Sequence, residues 1–226
     1  MSSLSALFVF GDEDTDTAQL STVWERFDDL SAGGEWSEHL HDPSLEGYVV
    51  QEDPNDLLLR VGKDMIVGRL YADGANERTL GAPDLPHIEF HVEESLFERA
   101  EDETDRVAHA DAFVDVLRET YFVLDPRPSV VYAMPESMQT AIWDSIGETP
   151  ADADSLRRSR FNYLVWATVF TPQLVETYGR ERLLSAPAWR TYEWDDGTVV
   201  LLSSADPLVQ SNIDAMHDHL DIDPPW

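Results

Sequence analysis

The chain has no cysteine and a single lysine, Lys63, among its 226 residues. The first absence excludes disulfides, thiolate metal centres and a cysteine nucleophile. The second makes arginine of every other member of the 15 Lys+Arg residues. Cations are scarce as a class: 45 Asp+Glu face those 15, for a formal net charge of −30. A field of that sign disfavours nucleic acid as a partner. Long apolar runs are missing too. Residues 164–170 are among the most apolar and fall far short of a membrane span. Residues 1–10 carry no basic segment and only a short apolar run before Gly11 and Asp12-Glu13-Asp14, so they do not read as a secretory signal. The expectation is a soluble, cytoplasmic protein with no membrane and no nucleic-acid partner.

What is present describes a folded protein. Hydrophobic residues make up 42% and aromatics 10%, too apolar for a disordered acidic chain. The acids are spread from Asp12 to Asp223. A nucleic-acid mimic, or a chain built to hold a basic partner, would concentrate them. At about 1 M salt the Debye length falls to roughly 3 Å, and the self-repulsion of −30 is largely screened. Hydrated carboxylates with almost no lysine suit a protein dissolved in multimolar salt. The composition reads as that of a cytosolic protein from an extreme halophile.

The patterning mixes strands and helices. Residues 4–10 read as a buried strand. Leu20, Val23, Trp24, Phe27 and Leu30 fall at helical spacing, and 31–47 are loop-like. Strands are expected at 48–51, 57–61, 65–71 and 87–93. Val107, Ala110, Val114, Leu117 and Tyr121 make one helical stripe. A short strand at 130–133 leads to a helix with Pro135 in its first turn. A longer strand is expected over 163–170, then a helix capped by Thr171 with Pro172 at its first position and Gly179 past its end. Two strands flank Asp195-Asp196-Gly197, a hairpin signal. Asp206-Pro207 would start a last helix carrying Leu208, Val209, Ile213, Met216 and Leu220. The fold class is α+β, with a mixed, mainly antiparallel sheet and helices packed on it. A subdivision would fall at 147–156. That loop is short, and the chain is read as one domain over 1–226.

Motifs for common chemistries are missing. Gly62-Lys63 looks like the end of a phosphate loop, but Asp64 stands where Ser or Thr is required and Leu57 where the first Gly belongs. There is no serine elbow and no dinucleotide fingerprint. No cofactor is implied. Histidines group as His39-Leu40-His41, His87-Ile88-Glu89-Phe90-His91 and His217-Asp218-His219. On a regular strand His87 and His91 lie about 13 Å apart, and a zinc ion reaches only about 2.1 Å to each nitrogen. A metal site would therefore combine His39 and His41 with one of the central pair, His87 or His91, and the candidate ligands are His39, His41, Glu89 and His91. The plainer reading makes His87, Glu89, His91 and Glu93 the polar face of a half-buried strand. His217 and His219, two apart on a helix, do not face each other.

The scarce arginines carry more information than the abundant acids. Arg157, Arg158 and Arg160 precede the strand at 163, and Arg180 and Arg182 follow Gly179. They are candidates for contact with a protein partner. The competing reading pairs them with acids inside the molecule.

One stretch carries a family signal. Trp166 and Phe170 are followed by Thr171-Pro172, Val175 and Tyr178-Gly179-Arg180-Glu181-Arg182-Leu183-Leu184. Ala186-Pro187-Ala188-Trp189, the Asp196-Gly197 turn and Asp206-Pro207 continue it. This stretch, about 45 of 226 residues, resembles the immunity protein 52-like family of polymorphic toxin systems and its uncharacterised relatives. The resemblance implies a compact α+β protein without catalytic residues that binds and blocks a cognate toxin. It supplies no functional residues. The expected function is thus a non-catalytic, immunity-like protein binder, monomeric or homodimeric. The alternatives are a metal-dependent enzyme or small-molecule binder using the histidine regions, and a halophile-specific housekeeping protein.

The charge yields a test independent of function. Dialysis from multimolar to low salt should loosen the fold, seen as lost circular dichroism. An unchanged spectrum would show that the acids serve another purpose.

Overall fold

An unbroken apolar strand needs cover on both faces, and Leu4, Ala6, Leu7, Phe8, Val9 and Phe10 are all buried. They belong to β1 (Ser3–Val9) or follow it directly, and β1 sits near the middle of a nine-stranded sheet. The structure, a computed structural model, describes residues 3–11, 47–53, 56–61, 66–71, 85, 87–93, 102–124, 127–209 and 211–226. The other strands are β2 (Gly47–Asp53), β3 (Asp56–Val61), β4 (Ile66–Tyr71), β5 (His87–Glu93), β6 (Val130–Pro135), β7 (Ala167–Phe170), β8 (Arg190–Glu193) and β9 (Val199–Leu202). Their order is β2-β3-β4-β5-β1-β6-β7-β9-β8, and every described pair is antiparallel. The expected α+β class holds.

Register sorts the side chains into faces. Ala6, Ala133, Ala167 and Leu202 stand in one row across β1, β6, β7 and β9. Leu7, Tyr132, Thr168 and Leu201 stand in the next row, on the opposite face. The first face is covered by the long helix α1 (Glu103–Val123), whose N-cap Asp102 accepts the Asp105 N–H at 3.0 Å. Of the expected stripe, Ala110, Val114, Leu117 and Tyr121 are buried and Val107 half-buried; Phe113 and Val116 widen it. Phe113 meets Trp166, and Tyr121 meets Trp194, each with ring centroids 5.3 Å apart. Two ion pairs fix the β8–β9 hairpin near α1. Arg190 donates to both Asp111 oxygens at 2.7 and 2.9 Å, and Arg127 to Asp196 at 2.6 Å.

The second face is covered in pieces: α2 (Glu136–Ile146), α3 (Ala153–Arg157), α4 (Pro172–Tyr178), α5 (Arg180–Leu184) and α6 (Ile213–Leu220). Their apolar residues, among them Met138, Ile142, Leu174, Leu183, Met216 and Leu220, join Leu7, Val9, Tyr132 and Leu201 in one cluster. Among the described residues no helix is long and apolar enough to cross a membrane.

Several expectations need correction. The strand expected over 163–170 is only Ala167–Phe170. Upstream of it, backbone donors go to side chains instead of a ladder. Phe161 N–H donates to Tyr178 Oη at 3.0 Å, Leu164 N–H to His217 Nε2 at 2.7 Å, and Val165 N–H to Thr168 Oγ1 at 3.2 Å. Thr171 occupies the N-cap of α4, but its hydroxyl donates to Ser129 O at 2.9 Å and does not cap the helix. Pro135 ends β6, and α2 begins after it. The last helix does not start at Asp206. That carboxylate accepts the Leu208 N–H at 2.9 Å in a local turn, and α6 begins at Ile213. Leu208 and Val209 are consequently 40% and 53% exposed. The helix expected around residues 20–30 lies outside the described residues.

Two glycines end helices in different backbone regions. Gly147 follows α2 at φ 68°, ψ 23°, ordinary left-handed geometry that asparagine shares. Gly179 joins α4 to α5 at φ 87°, ψ 119°, where a Cβ is strained. Gly147→Asn should be nearly neutral in thermal unfolding, whereas Gly179→Ala should cost about 1–3 kcal/mol. Equal costs would show that backbone conformation does not set the difference.

Candidate functional site

The chain between α3 and β7 is held in place by a series of local bonds. Asp152 accepts the Ser155 N–H at 2.7 Å, and Ser155 Oγ accepts the Asp152 N–H at 2.8 Å, a capping box at the start of α3. Asn162 Nδ2 donates to Asp152 at 3.1 Å and to Thr149 O at 3.1 Å. Partial burial works against the Asp152 charge, but the bonds from Ser155 and Asn162 outweigh it and hold the carboxyl below its usual range. Ser159 then takes a positive φ of 50°, and Arg160 N–H returns to Ser155 O at 2.9 Å. This reversal places Arg160 one residue before Phe161, whose N–H is held by Tyr178 Oη.

Tyr178 is the floor of the site. It ends α4 and packs edge-on against Phe170, centroids 5.2 Å apart. Burial pushes its hydroxyl pKa up; the bond from Phe161 N–H and the charges of Arg160 and Arg182 act in the opposite direction. Around it opens a groove of about 300 Å³, lined by Arg158, Arg160, Phe161, Tyr178, Asp221 and Asp223 among others. A smaller hollow of about 60 Å³ shares Arg160, Tyr178 and Asp221 with it and adds Arg182. Asp221, the C-cap of α6 at φ 51°, lines both and is held by Arg182 at 2.6 Å.

Of the five arginines singled out in the sequence, the fold brings Arg158 and Arg160 to this groove and Arg182 to the smaller hollow that shares Arg160 with it. Arg157 pairs with Asp154 on the exposed side of α3. Arg180 lies elsewhere, bidentate to Glu193 at 2.7 Å through both Nε and Nη2 and also paired with Glu181. Arg182 donates to His219 O as well as to Asp221, and Arg158 Nε donates to Asp154 O at 3.1 Å. Tyr178, Asp221 and Asp223 were not singled out. The two positive-φ residues that aim the rims, Ser159 and Asp221, carry no glycine to announce them.

The histidine groups fare differently. His39 and His41 lie outside the described residues, and of His91 only the backbone is described. His87 and Glu89 are fully buried, which corrects their assignment to a polar, half-exposed face. β5 is an interior strand between β4 and β1, and Glu89 shares a row with the buried Leu7 and Tyr132. His87 Nδ1 lies 2.7 Å from Leu85 O. Among the described residues no group of three or more His, Asp or Glu is placed to hold a metal ion.

No family model and no curated protein matches the chain. Among solved structures it is similar to Pseudomonas aeruginosa T6SS protein PA0821, with a TM-score of 0.50 and 15% sequence identity over 98% of this chain and 73% of that one. At that identity the likeness is one of fold.

His217 ties the groove's α6 wall to the 161–166 segment. It is buried, and its Nε2 accepts the Leu164 N–H, which requires the neutral ring. Burial lowers its pKa, while Asp214 and Asp218 act the other way. A lowered folded-state value means that its contribution is complete above the unfolded value of about 6.5 and is lost as the pH falls from there through the folded value. His217→Ala should cost about 1–3 kcal/mol at pH 8, since Leu164 N–H loses its acceptor. It should also flatten the loss of stability below about pH 6.5 in denaturant titrations. An acid limb identical to that of the parent would show that His217 does not generate it.

Proposed function

We propose that this chain is a non-catalytic binding protein that occludes a cognate toxin or comparable protein partner inside a halophilic cell. The observation that carries this reading is the groove around Tyr178. It is open at the surface, its backbone is fixed by a capping box and two reversed residues, and two of the chain's few arginines line it, with a third in the small hollow beside it. Such a rigid, polar hollow suits recognition of another protein's surface groups.

Two further lines support it. The stretch that resembles the immunity protein 52-like family forms β7, α4, α5, β8 and β9, which make one end of the sheet and part of its cover. Its distinctive residues act as scaffold: Trp166 Nε1 donates to Ser204 O at 3.0 Å, and Gly179 and Gly197 both hold φ 87°. The neighbour in fold is itself a T6SS protein, in keeping with a role in a toxin system.

The test is affinity capture from the host at about 2 M KCl, where nonspecific charge contacts are screened, followed by expression of the captured protein. The expected result is a stoichiometric partner that arrests growth when expressed alone and is harmless beside this chain. A captured protein that is harmless alone, or no stoichiometric partner, would end the immunity reading.

A further inference from the structure

Arg160 stands apart from the other four candidate arginines. Arg157, Arg180 and Arg182 have carboxylate partners, and Arg158 donates to a carbonyl. No hydrogen bond or ion pair among the described residues takes up the Arg160 guanidinium. Three acids, Glu148, Asp221 and Asp223, line the same groove, yet none of them pairs with Arg160. Its backbone is nevertheless fixed on both sides, by Arg160 N–H to Ser155 O and by Phe161 N–H to Tyr178 Oη. Little backbone entropy remains to be lost on binding there. The guanidinium offers five donors in a planar fork that matches a carboxylate.

The same groove also carries the other sign. Asp221 is occupied by Arg182, but Asp223 has no ion-pair or hydrogen-bond partner among the described residues. The groove therefore holds Arg160, a cation without a partner, together with two carboxylates, Glu148 and Asp223, that have no side-chain partner among the described residues, in a space of about 300 Å³, enough for a few side chains. A simple anion would meet Asp221 and Asp223, and a simple cation would meet Arg158 and Arg160. Only a ligand with both charges answers both signs.

We infer that the groove receives a segment of the partner protein that places a carboxylate on Arg160 and a basic side chain beside Asp223. This rests on the binding reading above and names the chemistry of its contact. The probe is the blocked peptide acetyl-Glu-Gly-Lys-amide, titrated into the full chain at about 1 M KCl and followed by NMR at the Arg160 Nε–H signal. The expected result is a saturable shift that acetyl-Gln-Gly-Lys-amide does not produce and that Asp223→Asn weakens. For a captured partner, Arg160→Lys should weaken binding about tenfold, the loss of a bidentate pair, while Arg180→Lys leaves it unchanged. No shift with the Glu peptide overturns the inference even where a partner has been captured, and so does a partner indifferent to Arg160→Lys. An equal shift with free glutamate also overturns it, by making the groove a small-molecule site. Failure of the wider reading is separate: it is the absence of a toxic partner.

Discussion

Burial of β1, β6, β7 and β9 on both faces is the constraint from which the rest of the structure follows. Leu7, Phe8, Val131, Tyr132, Val169, Phe170, Val200 and Leu201 are all fully enclosed, although they alternate between opposite faces. Each face therefore needs its own cover. Among the described residues one face is met by a single 21-residue helix, the other by five shorter helices. A single helix leaves no seam of its own. Five short pieces do, and the groove around Tyr178 lies where the end of α4, the turn after α3 and the end of α6 meet. The site is in this sense a consequence of how the second face is covered.

The parts of the fold legible in the sequence are those fixed by neighbours along the chain. The apolar run 4–10, the α1 stripe and the Asp196-Gly197 hairpin each carry their own periodicity or turn chemistry, and each forms. The parts misread depend on distant partners. Residues 163–166 have strand composition, but the Leu164 N–H finds His217, 53 residues away, and the Val165 N–H finds Thr168 Oγ1, while the ladder between β6 and β7 ends at Ala133 and Ala167. β5 has an alternating pattern that suggests one wet face. The face it shares with Leu7, Val9 and Tyr132 is covered, so His87 and Glu89 are buried regardless. Asp206-Pro207 resembles a helix start, yet the same carboxylate that could cap a helix closes a turn. Aspartate serves both purposes, and only the surroundings decide.

The groove was half legible. Scarcity pointed to the arginines, and two of five line it, with a third in the small hollow beside it. The acids that share it could not be chosen from 45 candidates, and the positive φ at Ser159 and Asp221 leaves no mark in composition. The arginines also show why lysine is dispensable here. Arg127, Arg182 and Arg190 join residues 69, 39 and 79 positions away. Arg127 in addition lies 4.7 Å from the centroid of the Phe122 ring. A planar fork that pairs bidentately and stacks on rings keeps its grip at short range, where an ammonium acts as a hydrated point charge.

That distinction governs how so acidic a protein can recognise anything. The total charge acts over a Debye length, about 10 Å at 0.1 M salt and roughly 3 Å at 1 M. Beyond that distance the −30 is invisible to an approaching partner; within it, only groups in contact count. At the groove and the hollow beside it those groups are Arg158, Arg160 and Arg182 against Glu148, Asp221 and Asp223, a balanced set inside a strongly unbalanced molecule. Long-range steering is weak there, and discrimination has to come from the fit of paired charges at contact distance. A partner with one misplaced charge would leave a guanidinium or a carboxylate desolvated and unpaired, and that penalty is larger than the gain from forming the pair. The fixed backbone at 155–162 matters for the same reason: penalties of this kind discriminate only where the site cannot shift to relieve them.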